Sequence, residues 1–334
     1  MTTRLQGKTA IVTGGASGFG KGIAAKFAAE GANVIITDLS EDQGQAVASE
    51  LNCLFSRADV TKSEDWQRVL ELALDKFKQL DIVVNNAGAA YPNKPTEDVT
   101  EADFDLVMNV NVKSLYRSTN VLLPYFLNEK RPGCFIQIAS TAGSRPRPKL
   151  TWYNASKAAV INATKTMAVE YGPNQIRFNS VSPVVGSTGM THLFIGKPDT
   201  EENRKGFVST IPLGRPSTPG DIANACCYLA SDEANFITGV DLETLMGAVF
   251  HAQRSESSLS PQNATTFLLP SPVISVQQVL GIISCSEVET PGLLAGIMSC
   301  SFRDSGIGGL IYQKAQQYQH QGACCEKGKQ SNLS

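Results

Sequence analysis

Two hydrophobic rhythms alternate along the first two thirds of the chain. Short, largely apolar runs stand at 8–13 (KTAIVT), 33–37 (NVIIT), 80–84 (LDIVV), 134–139 (CFIQIA) and 176–181 (IRFNSV). Between them lie longer stretches, at 18–30, 64–78, 104–128, 153–171 and 221–231, whose apolar residues recur at helical spacing. The runs predict buried strands, because they lack the polar alternation of a half-exposed sheet. The stretches between predict helices with one apolar face. Gly31, just past the first helix, is a stop signal. Strands and helices in strict alternation describe an α/β fold: a doubly wound parallel sheet, the Rossmann arrangement, in a single domain over 1–243.

The rhythm then stops. SESSLSPQNATTF, scattered glutamines and weak patches such as PVISVQQVLGII keep neither period. Residues 244–334 are expected to be an atypical, poorly ordered tail that adds little to any active site.

Composition narrows the function classes. A net charge of −2 and 42% apolar residues describe an ordinary globular core and give no reason to expect a nucleic acid or an anionic membrane as partner. No run approaches the ~18 apolar residues of a membrane span. The N-terminus carries no secretory pattern, and the 8 cysteines show no C-x-x-C spacing, so reduced thiols and a cytoplasmic location are expected. His192, His251 and His320 stand far apart, which leaves no basis for a histidine metal site or a Ser-His-Asp triad.

The stretch TGGASGFGKG at 13–22 carries two phosphate-binding signatures at once. One falls a residue short of G-x-x-x-x-G-K-[S/T], the triphosphatase loop. That loop needs a hydroxyl after its lysine to ligate Mg²⁺, and the position here is Gly22. The other is the dinucleotide loop, which fits its place between a strand and a helix and the acid, Asp38, that ends the next strand. Gly14 allows the tight turn, Gly18 lets the backbone approach a pyrophosphate, and Gly20 lets the helix pack close. With Thr13, Ser17 and Phe19 they form the expected cofactor loop, while Lys21 is expected in solvent. A carboxylate at 38 bonds ribose hydroxyls and repels a 2′-phosphate, and Ala16, Ser17 and Leu39 offer no compensating cation. NAD is therefore expected, with NADP as the alternative.

Tyr153 and Lys157 stand four apart at the start of a predicted helix, hence on one face. A nearby ammonium favours the phenolate and lowers the tyrosine pKa toward the working range. Ser140 ends the strand before them, at the edge where open α/β sheets bind ligands.

Taken in order, Thr13-Gly14-x-x-x-Gly18-x-Gly20, Ala58-Asp59-Val60, Asn85-Asn86-Ala87-Gly88, Asn111, Ser140, Tyr153, Lys157, and Pro183 followed by Thr188 resemble the short-chain dehydrogenase/reductase family in its form of about 250 residues. The resemblance implies that Tyr153 is the general acid/base, that Ser140 orients the substrate oxygen, and that Lys157 supports Tyr153 and holds the nicotinamide ribose. It implies that Asn111 sits at a helix irregularity and anchors a relay water. Asp59 and Val60 would hold the adenine; Asn86, Ala87 and Gly88 would line the cleft; Pro183, Gly186 and Thr188 would hold the carboxamide and phosphate side. The implied reaction interconverts a secondary alcohol and a ketone with NAD(H) in a homo-oligomer. Residues 187–208, with His192, Phe194, Ile195 and Phe207, are expected to form a substrate lid.

Two departures stand out. Val184 replaces a glycine the family often has after this proline. The family's V-D-G-G ending is replaced by Val240-Asp241-Leu242-Glu243, so weakened, dimeric or heterogeneous assembly is expected. That loss also raises a rival: a catalytically inactive dinucleotide-binding or interaction protein.

Overall fold

The computed structural model describes residues 3–184, 186, 193–194, 200–209 and 211–244, without the side chains of 204, 206 and 207. Thr188, His192, Ile195, the Phe207 side chain and the 245–334 stretch of the tail therefore fall outside the described structure.

Seven strands form one sheet: β1 (Thr9–Thr13), β2 (Asn33–Asp38), β3 (Leu54–Arg57), β4 (Ile82–Asn85), β5 (Gly133–Ile138), β6 (Ile176–Ser182) and β7 (Asp241–Glu243). Their order is β3-β2-β1-β4-β5-β6-β7, and every pairing is parallel. Alternate residues of each strand feed opposite cores. In β1, Ala10 and Val12 face one side and Ile11 the other; in β4, Ile82 and Val84 oppose Val83. On the first face pack α1 (Gly18–Ala29), α2 (Glu41–Leu51) and a late helix, Pro219–Ala230. On the second lie α3 (Ser63–Phe77) and the helices Ser114–Asn128 and Thr151–Tyr171.

The predicted helix over 104–128 is three segments. α4 (Glu101–Val107) starts earlier, where Thr100 and Asp103 form a reciprocal capping box. A π-helical stretch, Met108–Lys113, follows, and α5 (Ser114–Asn128) continues it. The remaining helices are α6 (Thr141–Ser144), α7 (Thr151–Tyr171), α8 (Glu201–Val208) and α9 (Pro219–Ala230). α9 begins two residues before the predicted start, with Pro219 in its first turn and a second capping box between Thr218 and Asp221. α2 and β3 have no counterpart among the predicted elements.

β1 pairs with both β2 and β4, so the crossovers depart in opposite directions from it. Ligands bind at such a switch point, outside the carboxyl ends of the strands.

Candidate active site

A cavity of about 370 Å³ opens at that point. At one end it is lined by the loop after β1 and by Asp38, and at the other by Ser140, Tyr153, Lys157 and Phe194.

The first end is built from backbone. Gly14 has φ +63°, and a Cβ on it would lie 2.9 Å from Asn86 Nδ2. A Cβ on Gly20 would lie 2.1 Å from the Gly14 carbonyl oxygen, so α1 touches the turn directly. Ser17 caps α1 with extended backbone and no side-chain hydrogen bond, which leaves the first-turn N–H groups and the helix dipole facing the cavity. Thr13 and Asn86 fasten this loop from behind. Asn86 Nδ2 donates to the Thr13 carbonyl at 2.8 Å, and the Asn86 and Ala87 N–H groups both donate to Thr13 Oγ1 at 3.0 Å. Asp38 accepts from Ala16 N–H at 3.0 Å and from Ser40 N–H at 3.1 Å, which fixes the carboxylate on the cavity wall. Asp59 is held by Thr61 and lines the same end with Val60. A tight glycine-rich loop, a helix N-terminus and an acid at the end of β2 together fit a dinucleotide. A triphosphate-bound Mg²⁺ does not fit: Gly22 is pressed on Pro219, where a Cβ would meet it at 2.6 Å, and Lys21 Nζ lies 2.8 Å from Glu50.

The second end is built from side chains. Ser140 leaves β5 as the cap of α6, its Oγ accepting from Ala142 N–H at 3.1 Å. Tyr153 lines the same wall, close enough for Ser140 to bear on its phenol. Lys157 is buried, and Nζ donates to the Ile138 carbonyl at 2.9 Å and stands 6.0 Å from the Tyr153 ring centre. Desolvation pushes Lys157 down to about 8. Tyr153 differs from the sequence expectation: burial raises its pKa, while Ser140 and the Arg147 charge oppose the rise. Arg147 thus stands beside Lys157 as a second cation near the phenol.

Asn111 sits in the π-helical stretch, as the family resemblance implies. Its Nδ2 donates to the Ala89 carbonyl and to Ser156 Oγ, both at 2.9 Å, and Oδ1 accepts from Ala89 N–H at 2.8 Å. Ser156 in turn donates to the Tyr153 carbonyl at 2.7 Å. Gly88 lies between these groups; a Cβ there would be 3.3 Å from Asn111 Oδ1 and 3.4 Å from Lys157 Nζ. Pro183, Val184 and Gly186 complete the wall. The Pro183 carbonyl accepts from Thr141 N–H at 3.1 Å.

Of the expected lid, Phe194 reaches the cavity, its ring 5.2 Å from that of Tyr153. Three contributors escaped the sequence reading. Arg147 and Leu150 line the same cavity as Tyr153 and Lys157. Glu243 accepts from Ser144 Oγ at 2.7 Å and pairs with Arg145 at 3.1 Å, tying α6 to β7. The Y-x-x-x-K spacing locates the helix; nothing in the spacing marks a loop arginine or a strand-end acid as belonging to it.

The family model described as Enoyl-(Acyl carrier protein) reductase matches residues 14–247. The 4-formylbenzenesulfonate dehydrogenase of Comamonas testosteroni is 47% identical, across 72% of this chain and 96% of its own length. The 3-oxoacyl-(acyl-carrier-protein) reductase of Thermotoga maritima is 36% identical, across 71% and 95%. Among solved structures, 3-ketoacyl-(acyl-carrier-protein) reductase from Brucella melitensis complexed with NADH matches with a TM-score of 0.67 and 38% identity, covering 72% of this chain and 97% of that one. With this fold and these relatives, the chain belongs to the short-chain dehydrogenase/reductase family, a family of oxidoreductases that bind nicotinamide dinucleotides. Among the described residues, no helix is long and apolar enough to cross a membrane.

Proposed function

We propose that the protein interconverts a secondary alcohol and a ketone with NAD(H), using Tyr153 as general acid/base. The observation that carries this reading is that Ser140, Tyr153 and Lys157 line one end of a cavity whose other end is the glycine loop and Asp38. Thr13, Gly14, Ser17, Gly18, Phe19, Gly20 and Asp38 would hold the pyrophosphate and adenosine, with Asp59, Val60 and Asn86 to Gly88 behind them. The bound cofactor supplies or accepts the hydride.

Tyr153 Oη gives a proton to the substrate oxygen in reduction and takes it back in oxidation. Ser140 Oγ holds that same oxygen and orients it. Lys157 keeps a positive charge beneath the ring up to pH of about 8. Both amide hydrogens of Asn111 are already used, so we assign the water relay to the main-chain groups that the π-helical stretch removes from regular pairing. Phe194 and Leu150 shield the reacting carbon from water.

The only acids on the cavity wall are Asp38 and Asp59, and its cations, Arg147 and Lys157, stand at the far end, among the described residues. A 2′-phosphate would meet a carboxylate with no counter-charge, which supports NAD over NADP. Relatives named as dehydrogenases of a sulfonated aldehyde and of cyclopentanol support carbonyl and alcohol chemistry. The inactive alternative rested on the lost V-D-G-G ending. We prefer the enzyme because β7 still pairs with β6 and Glu243 still braces the loop after Ser140. Tyr116 on α5 and Val169 on α7 are 60% and 81% exposed, which supports self-association of these helices into a homo-oligomer.

The test is Tyr153→Phe assayed on a panel of ketones and secondary alcohols. Turnover should fall by about a thousandfold or more while NADH binding stays within about threefold. A variant that keeps the wild-type rate rejects the assignment.

A further inference from the structure

An α-helix leaves the N–H groups of its first turn without partners inside the helix. α7 carries Tyr153 in that turn and begins after Leu150, whose apolar side chain supplies no cap. The partner comes from a distant part of the chain. Tyr91 lies in the loop that follows β4, and its hydroxyl accepts from the Trp152 N–H at 3.0 Å. Its ring is fully buried in a small core with Val107, Leu150 and Tyr153.

The same loop is stitched to the approach of α7 at further points. Lys94 N–H donates to the Lys149 carbonyl at 3.1 Å, Asn93 Nδ2 reaches the Pro148 carbonyl at 3.4 Å, and the Thr96 and Thr151 hydroxyls pair at 2.7 Å. The loop starts with Asn86, Ala87 and Gly88 on the cavity wall, and Asn86 is bonded to the Thr13 carbonyl of the glycine loop. In between, Ala89 exchanges hydrogen bonds with Asn111, which also donates to Ser156 on α7. Residues 86–96 thus run as a strut from the glycine loop to the helix of Tyr153. Among these contacts, that of Tyr91 is the one that engages a first-turn N–H of α7.

We propose that Tyr91 is a positioning residue: its hydroxyl, acting through the Trp152 N–H, closes the first turn of α7 and so holds the Tyr153 phenol in place beside Ser140. The proposal rests on the oxidoreductase reading above and adds a residue to its machinery. Tyr91 is fully buried and is not among the described residues of the cavity wall, so it acts on the reaction only through Tyr153. Removing the hydroxyl leaves a helix N–H unpaired and frees the turn. A shift of about 1 Å in a reacting group can cost about a hundredfold in rate.

The experiment compares the full chain as wild type, Tyr91→Phe and Thr96→Val on a panel of ketones with saturating NADH. Tyr91→Phe keeps the buried ring and removes only the hydroxyl. Thr96→Val loosens the same loop without touching a first-turn N–H. NADH titrated by calorimetry counts the folded sites, so rates are expressed per binding site. Tyr91→Phe should lower kcat per site by at least about tenfold, with KM of the ketone and Kd of NADH each within about twofold of wild type. Thr96→Val should stay within about twofold in all of these. Hydrogen exchange followed by NMR gives a readout free of turnover. The Trp152 amide should be protected in wild type and should exchange at least about tenfold faster in Tyr91→Phe. A Trp152 amide that exchanges freely in wild type overturns the proposal whether or not the variant folds. An unchanged kcat in Tyr91→Phe on a ketone that wild type reduces overturns it too. So does a loss confined to KM, a loss of NADH affinity in step with kcat, or an equal fall in Thr96→Val. A wild type that reduces nothing on the panel, with Trp152 protected, fails the oxidoreductase reading instead, and the positioning role falls with it.

Discussion

The two ends of the cavity are built by opposite means. At the cofactor end the work falls to backbone: a left-handed glycine, a helix N-terminus, and side chains such as Thr13 and Asn86 that bond to the loop rather than to anything within it. At the substrate end it falls to ionisable side chains stripped of water, Tyr153, Lys157 and Arg147. Backbone geometry suits a ligand that never changes. Desolvated side chains suit a reaction that moves a proton and a substrate that must be chosen, at some cost in stability.

That cost gives the largest expected effect. Lys157 has a folded pKa near 8 against an ordinary 10.5, so the buried charge destabilises fully below pH 8 and the penalty is relieved as pH rises toward 10.5. The span from about 8 to 10.5, at ~1.4 kcal/mol per pH unit, gives about 3 kcal/mol. Chemical denaturation at pH 7 and pH 10 should therefore show wild type gaining that amount relative to Lys157→Met. A difference between the two proteins that does not change with pH would mean Lys157 is solvated.

A smaller effect probes the backbone end. Gly20→Ala places a methyl 2.1 Å from the Gly14 carbonyl oxygen, a position only main-chain movement can relieve. Unfolding free energy should drop by about 2 kcal/mol, and NADH affinity should weaken by at least about tenfold. Stability loss with unchanged affinity would show that the turn is not part of the binding surface.

The smallest effect lies at the one acid that bridges the two styles, a side chain fixed by two backbone N–H groups. Asp38→Asn should shrink the NAD-to-NADP ratio of kcat/KM by about tenfold, read from steady-state rates with each cofactor. An unaltered ratio would turn the carboxylate away from the ribose.

How far the sequence could be read follows the same division. β1, β2 and β4 to β6 are legible because their residues are buried on both faces, and apolar composition alone reports that. β3 escapes because it is an edge strand, only half-buried, with Ser56 and Arg57 in four residues. α2 escapes because a single shallow face, Val47 and Ala48, meets the core. The glycine loop is legible because its constraint is local: each glycine answers a clash within a few residues or across one turn. The breadth of the helix over 104–128 was legible and its π-helical stretch at Asn111 was not, except through the family resemblance. Arg147 and Glu243 were out of reach for a different reason. Their roles depend on burial and partners that arise only when a loop, α7 and β7 come together.

One contact binds the first element of the site to one of the last. Gly22 on α1 is pressed against Pro219 at the start of α9, and these two helices share an extensive buried face through Ile23, Phe27, Ile222 and Cys226. The cofactor loop is written near the start of the message, yet the back of its helix stays uncovered until the residues around 219 have been synthesised. Strands β1 to β4 emerging from a ribosome would expose that apolar flank for most of the chain's translation. Such long-range closure slows folding. The nucleotide site is therefore a late event in the life of each molecule, completed only when the domain is nearly whole.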